Sequence, residues 1–165
     1  MADLIFNRIA IIGVGLIGGS IARAAQESGA AGEVVLFDGN VQALARASEI
    51  GFGKPAATIA DAVADADVVF HCVPVGAMGA TARASIAAMK PGAILTDVGS
   101  VKGNVARDFR SLGRADIHVI PGHPIAGTEK SGPDAGFASL FDGRWCILTP
   151  EQGGSPDYVA ATDKL

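Results

Sequence analysis

Cysteine is scarce in this chain: Cys72 and Cys146 are the only two among 165 residues. Each lies in an apolar run, and neither has a neighbour at a metal-ligand spacing. That argues against a disulfide-stapled scaffold and against a cysteine-held metal, and both are expected to be buried free thiols in a reducing compartment. No metal site is expected elsewhere. Long apolar runs are missing too. The densest begins at Ile9 and is broken by Gly13, Gly15, Gly18 and Gly19, far short of the roughly 20 residues a spanning helix needs. The first residues, MADLIFNR, hold no basic region followed by an apolar one, the pattern of a secretion signal. Nor is there a basic excess: the net charge is −4, which argues against nucleic acid or an anionic membrane as partner. Internal repeats and low-complexity tracts are absent. The expected compartment is the cytoplasm.

What is present is apolar residues in short blocks. The chain is 49% hydrophobic, with a mean hydropathy of +0.36. Such an excess suits an α/β protein, whose buried parallel strands read as continuous Val/Ile/Leu runs. Strands are expected at 8–15, 33–38, 67–73, 93–98, 117–120 and 144–149. Helices are expected at 18–28, 40–50, near 59–64, at 77–89 and at 101–112. Gly29 stops the first helix; Asn40 caps the second, and Gly51 lies just past its end. This alternation predicts a doubly wound, mostly parallel sheet with helices on both faces. The stretch PEQGGSPD (150–157) is the most linker-like, so the expected division is a domain over 1–150 and a linker with the start of a further segment over 151–165.

The first loop, GVGLIG (13–18), fits G-x-G-x-x-G. A buried strand precedes it, a helix follows, and Asp38 stands twenty residues beyond Gly18 at the end of the second strand. In a Rossmann-type domain each part has a task. Gly13 makes the sharp turn, Gly15 lets the backbone approach a pyrophosphate, and Gly18 lets the helix pack on the strand. The helix start at Leu16 and Ile17 offers free N–H groups and a partial positive charge to phosphates. Asp38 accepts from the adenosine ribose hydroxyls and repels a 2′-phosphate, and no arginine follows it in DGNVQ. The expected cofactor is NAD, with NADP possible. The bland alternative is a tight βα turn with Asp38 capping the next helix.

Ligands of an open parallel sheet lie outside the carboxyl ends of its strands, so three later strand ends matter. Val73 and Pro74 either hold the chain against the cofactor or form a plain strand exit. Ser100 in DVGSVK (97–102) is an N-cap, a hydrogen-bond partner of substrate or nicotinamide, or both. Asp97 reads as a turn-former, and Lys102 as a surface cation or an anchor for an anion. The third end is PGHPIAGTEKSGPDAG (121–136), too rich in glycine and proline for a helix or a strand, yet carrying His123, Thr128 and Glu129. A loop of both residue types is shaped and stiff at once. Imidazole exchanges protons near neutrality, with an ordinary pKa of about 6.5. His123 is therefore the candidate base, whereas His71, inside a strand, reads as a packed neutral ring, and His118 has no reactive neighbour in sequence.

Taken in order on successive strand ends, GVGLIGGS, DVGSVK and PGHPIAGTEKSGP resemble the prephenate/arogenate dehydrogenases of tyrosine biosynthesis, and LFDGRWCILTP (140–150) resembles the strand that follows in them. The resemblance implies an oxidative decarboxylation: hydride passes from the ring carbon bearing the 4-hydroxyl to NAD⁺ or NADP⁺, the ring carboxylate leaves as CO₂, and the ring becomes aromatic. It implies that His123 accepts the hydroxyl proton, that Ser100 assists at the same hydroxyl, and that Thr128 and Glu129 lie near the substrate carboxylates or the entrance. Members of that family continue into a helical second domain that forms a homodimer and supplies cations for the carboxylates. With this chain ending at Leu165, cofactor binding without complete substrate recognition is expected of it. Two other readings share the nucleotide loop: a 3-hydroxyacid dehydrogenase-like enzyme, against which GHPIAGTEKSG speaks, and a non-catalytic NAD-binding regulatory module.

Overall fold

The apolar run after Asn7 becomes the central strand of a sheet. The computed structural model describes residues 4–151 and 154–165. Its elements are β1 (Phe6–Ile12), α1 (Leu16–Ser28), β2 (Ala31–Phe37), α2 (Val41–Ile50), β3 (Lys54–Pro55), α3 (Ile59–Val63), β4 (Val68–His71), α4 (Val75–Ile86), β5 (Ile94–Asp97), α5 (Lys102–Arg110), β6 (His118–Val119), β7 (Gly122–Pro124), β8 (Cys146–Leu148) and α6 (Pro156–Lys164). Six strands form one sheet in the order β3-β2-β1-β4-β5-β6, every pair parallel. This is the doubly wound α/β architecture expected from the alternation.

Register explains the unbroken apolar run. Ile9 and Ile11 point into one core layer with Leu36, Ala22, Ala47 and Phe52, while Ala10 and Ile12 point into the other with Val69, Leu95, Met78 and Phe109. A strand covered on both faces needs apolar residues at every position, not at every second one. Helix ends follow local chemistry. The Asn40 side chain accepts from the N–H groups of Gln42 and Ala43 at 3.0 and 3.1 Å, and Gly29 and Gly51 end α1 and α2 at φ of 71° and 88°, a region open to glycine at little cost. α6 lays Ala161 into the α1-side core, and the Tyr158 hydroxyl donates to the Val119 carbonyl at 2.8 Å. Among the described residues no helix is long and apolar enough to cross a membrane, and no group of three or more His, Cys, Asp or Glu side chains is placed to hold a metal.

Three expectations need correction. Residues 122–124 form a strand after all, pairing antiparallel with β8 in a separate two-stranded sheet. The flanking bonds run from Ile125 N–H to Trp145 O (2.7 Å) and from Thr149 N–H to Pro121 O (2.9 Å), so neither proline has to donate. Ser100 does not cap α5. Val101 holds that position with no side-chain bond, because the carboxylate of Asp97 closes the turn instead, accepting from Gly99 N–H at 2.8 Å. Finally, Cys146 is exposed, because β8 belongs to a two-stranded ribbon with an open face, whereas Cys72 is half-buried against the α1-side core. Both thiols are free. Desolvation of its sulfur against the core pushes the Cys72 thiol far up, with a smaller push from the Asp97 charge, and partial desolvation of the sulfur beside the apolar cavity raises that of Cys146.

Candidate active site

β1 and β4 are neighbours in the sheet although β2 and β3 come between them in sequence. This is the switch point of a doubly wound sheet, where a crevice opens outside the carboxyl ends of the strands. The residues singled out from sequence stand at those ends: Gly13–Gly18 after β1, Asp38 after β2, Val73 and Pro74 after β4, Ser100 after β5, and His123 in the strand that follows β6.

The three glycines of the first loop differ in what demands them. Gly13 has φ of 101°, and a Cβ there would lie 2.7 Å from the Cys72 carbonyl oxygen. A Cβ on Gly18 would lie 2.0 Å from the carbonyl oxygen of Gly13. The protein itself therefore requires both. Gly15 has an ordinary φ of −76°, and a Cβ there would meet nothing within 4 Å. It is the N-cap of α1, with no side-chain cap bond and no acidic residue in the first turn. The helix thus presents bare N–H groups beneath an open space, the cradle that a pyrophosphate fits.

Asp38 frames the other end of that cradle. Its Oδ2 accepts from Val14 N–H at 2.9 Å and its Oδ1 from Asn40 N–H at 2.8 Å. A carboxylate offers about four lone-pair sites, so two remain for ribose hydroxyls. Val73 places a methyl 3.1 Å from where a Gly13 Cβ would be, and Pro74 is exposed and directly opens α4.

His123 is half-buried, with Nδ1 3.4 Å from the Val98 carbonyl oxygen. With the proton on Nδ1 donating to that carbonyl, the Nε2 lone pair is free to accept. Gly122 and Pro124, opposite Leu148 and Cys146, line an apolar cavity of about 160 Å³, and alternation turns His123 and its cross-strand partner Ile147 to the other face. Ser100 is exposed, and its hydroxyl has no hydrogen bond to any other described residue. Thr128 and Glu129 are exposed on the stretch after β7, where Thr128 Oγ1 accepts from Lys130 N–H at 3.1 Å. No hydrogen bond joins either of them to Ser100 or His123 among the described residues.

Lys102 is not a surface cation, and the anion it anchors is internal. Its ammonium pairs with the buried Asp97 carboxylate and donates to the Gly122 carbonyl at 2.5 Å. The chain returning after Thr128 and Glu129 is pinned to α1 and α2, which sequence reasoning also missed. Phe137 N–H donates to Ser20 Oγ at 3.0 Å, Gly136 lies so close that its Cβ would be 3.0 Å from the backbone of Gly19, and Arg46 pairs with Asp134 at 2.5 Å. The only signal for the first two was the final Gly19-Ser20 of GVGLIGGS. The remaining histidines are structural. His71 is fully buried between the Thr81 and Ser85 hydroxyls at 3.0 and 3.2 Å, and burial lowers its pKa to about 4. His118 meets the Tyr158 ring edge-on at 6.0 Å.

Comparison with known proteins agrees with this fold. The family model described as prephenate dehydrogenase, nucleotide-binding domain, matches residues 21–164. A cyclohexadienyl dehydrogenase of Zymomonas mobilis is 45% identical over 148 residues, covering 89% of this chain and 50% of that protein. A prephenate dehydrogenase of Lactococcus lactis is 30% identical, covering 88% of this chain and 41% of that protein. Among solved structures, a prephenate dehydrogenase of Aquifex aeolicus in complex with hydroxyphenyl propionate and NAD⁺ superposes with a TM-score of 0.84 at 30% identity, covering 96% of this chain and 55% of that one. An arogenate dehydrogenase of Synechocystis superposes with a TM-score of 0.84 at 28% identity, covering 94% of this chain and 54% of that one. The chain thus spans about half the length of the relatives it matches. By sequence and by fold, it belongs to the prephenate dehydrogenase nucleotide-binding domain family.

Proposed function

We propose that this chain binds NAD⁺ and serves the oxidative decarboxylation of prephenate or arogenate, in tyrosine biosynthesis in the cytoplasm. Residues 1–150 are the dinucleotide-binding unit, and 151–165 pack back on it through α6, with Ala161 in its core, before a further segment. Assembly as a homodimer, through a helical second domain joined to this unit, is part of the same proposal. The observation that carries the reading is a glycine the protein does not need, Gly15 at the exit of β1, together with an imidazole, His123, whose Nδ1 rests on the Val98 carbonyl beyond the exit of β5.

The backbone N–H groups of Leu16 and Ile17 receive the pyrophosphate, Asp38 receives the adenosine ribose, and Val73 and Pro74 border the crevice toward the nicotinamide. Asp38 favours NAD⁺ because its charge opposes a 2′-phosphate, and its two backbone bonds hold it in place. The bound nicotinamide supplies the hydride acceptor. Nε2 of His123 takes the proton of the substrate's 4-hydroxyl, whose acidity rises as hydride departs, so the contact strengthens in the transition state. Ser100, with a free hydroxyl, orients the same substrate oxygen. Thr128 and Glu129 border the entrance on the substrate side.

The test is His123→Asn in the protein that contains this chain. Turnover of prephenate or arogenate should fall by roughly 10²–10⁴-fold, the usual worth of a general base, while NAD⁺ affinity stays within about threefold, since His123 acts on the substrate rather than the dinucleotide. Unchanged turnover would overturn the assignment.

A further inference from the structure

We infer that the buried Asp97–Lys102 ion pair is the positioning device of this site: it grips both backbone polar groups of Gly122 and thereby fixes His123 relative to Ser100. The inference rests on the dehydrogenase reading for its consequence in turnover, but its geometry stands apart from that reading.

Asp97 ends β5 with its side chain fully buried, and each of its oxygens has a partner. Oδ1 accepts from Gly122 N–H at 3.2 Å; Oδ2 accepts from Gly99 N–H at 2.8 Å and from Lys102 Nζ. Lys102, the first residue of α5, then donates to the Gly122 carbonyl at 2.5 Å. That carbonyl belongs to the peptide plane that carries the His123 nitrogen, so holding it sets where His123 begins. A side chain on Gly122 would stand 3.1 Å from the Asp97 carbonyl oxygen and 3.3 Å from Thr96 Oγ1, which is why the backbone alone makes this approach. The other end of His123 refers to the same carboxylate. Its ring Nδ1 faces the Val98 carbonyl, inside the turn that Asp97 closes onto Gly99, and Ser100 follows that turn directly. Backbone, ring and hydroxyl are thus all indexed to one buried charge.

Stability gives no sufficient reason for the pair. Burying two opposite charges costs about as much as their attraction returns, and an apolar pair of similar volume serves a core as well. Being net neutral, the pair also offers no charge to a substrate carboxylate. What it provides is direction, since its donors and acceptors fit only one arrangement of the two strand exits.

Three variants of this chain test the idea: Lys102→Met, Lys102→Arg, and the double change Asp97→Asn with Lys102→Met, which leaves no unpaired buried charge. The readout is the ¹⁵N spectrum of the His123 ring, with melting temperature and NAD⁺ affinity measured alongside. The unaltered chain should show one tautomer, protonated at Nδ1. Lys102→Met and the double variant should show a mixture of tautomers, with NAD⁺ affinity within about threefold, because the dinucleotide cradle lies on other strand exits. Lys102→Arg, which keeps donors for both partners, should restore most of the single tautomer. In the protein that contains this chain, the double variant should lose roughly 10–100-fold in kcat with little change in KM, as a misplaced base does. A folded double variant that keeps the single tautomer overturns the inference, as does a double variant that cannot fold, since the pair would then be a folding requirement. If His123→Asn leaves turnover intact, the dehydrogenase reading fails alone, and the tautomer spectra still decide the positioning role.

Discussion

Asp38 accepts a hydrogen bond from the backbone N–H of Val14 at 2.9 Å, so the end of β2 holds the turn that leaves β1. The same carboxylate receives Asn40 N–H at 2.8 Å. On the proposed reading, this fixes a negative charge beside the adenosine ribose. Asp38→Asn keeps one acceptor oxygen and removes the charge. The expected result is a ratio of NADP⁺ to NAD⁺ dissociation constants that shrinks by roughly tenfold or more, since a hydrogen bond to a charged group is worth about 1.5–3 kcal/mol. Calorimetric titration of both dinucleotides checks it.

The glycine loop separates fold from function. Gly15→Asn introduces a side chain where nothing lies within 4 Å, at a backbone φ of −76° and at an N-cap position that favours Asn. Thermal stability should stay within about 0.5 kcal/mol, as for a neutral surface change, while NAD⁺ binding falls by two orders of magnitude or more. Gly18→Ala should behave in the opposite way. Its Cβ would lie 2.0 Å from the Gly13 carbonyl oxygen, so it should cost stability on the order of 1–3 kcal/mol, the range of overpacked sites. Paired melting curves and titrations distinguish the two.

Why some of this was legible in the sequence and some was not follows from the range of the interactions. Strand and helix boundaries lie within a few residues of expectation because they rest on local signals: Gly29 and Gly51 in the left-handed region, the Asn40 side chain on its own helix, and apolar runs forced by two-sided burial. The position of His123 at the strand-end edge followed from order alone. What stayed hidden joins residues far apart in sequence. Lys102 reads as a surface cation or an anchor for an anion until the fold brings the Gly122 carbonyl to it, and Asp97 reads as a turn-former because its third partner, Gly122 N–H, lies 25 residues on. The short β7 strand was hidden because proline and glycine argue against it locally, while its partner β8 lies more than twenty residues away. Cys146 looked buried because apolar neighbours in sequence do not tell a central strand from a ribbon.

His71 gives a pH dependence with a definite sign. Burial lowers its pKa from 6.5 to about 4, so below pH 6.5 the unfolded chain binds a proton that the folded chain refuses. Stability from this group is complete above the unfolded value and is lost as pH falls toward 4, by on the order of 3 kcal/mol in total. His71→Leu removes the titration, and the Thr81 and Ser85 hydroxyls keep the backbone carbonyls of Ala77 and Thr81 at 3.0 Å. Urea unfolding at pH 7, 6 and 5 should show the unaltered protein losing stability faster than the variant; parallel losses would contradict the assignment.

The central claim is that NAD⁺ lies along the carboxyl edge of the sheet with its nicotinamide facing His123. The most direct measurement is an intermolecular nuclear Overhauser experiment on the labelled chain with bound NAD⁺. The account predicts contacts between the nicotinamide ring protons and the His123 ring, together with amide shifts at Gly15, Leu16 and Ile17. Binding that shifts those amides while the nicotinamide protons touch no His123 proton would contradict it.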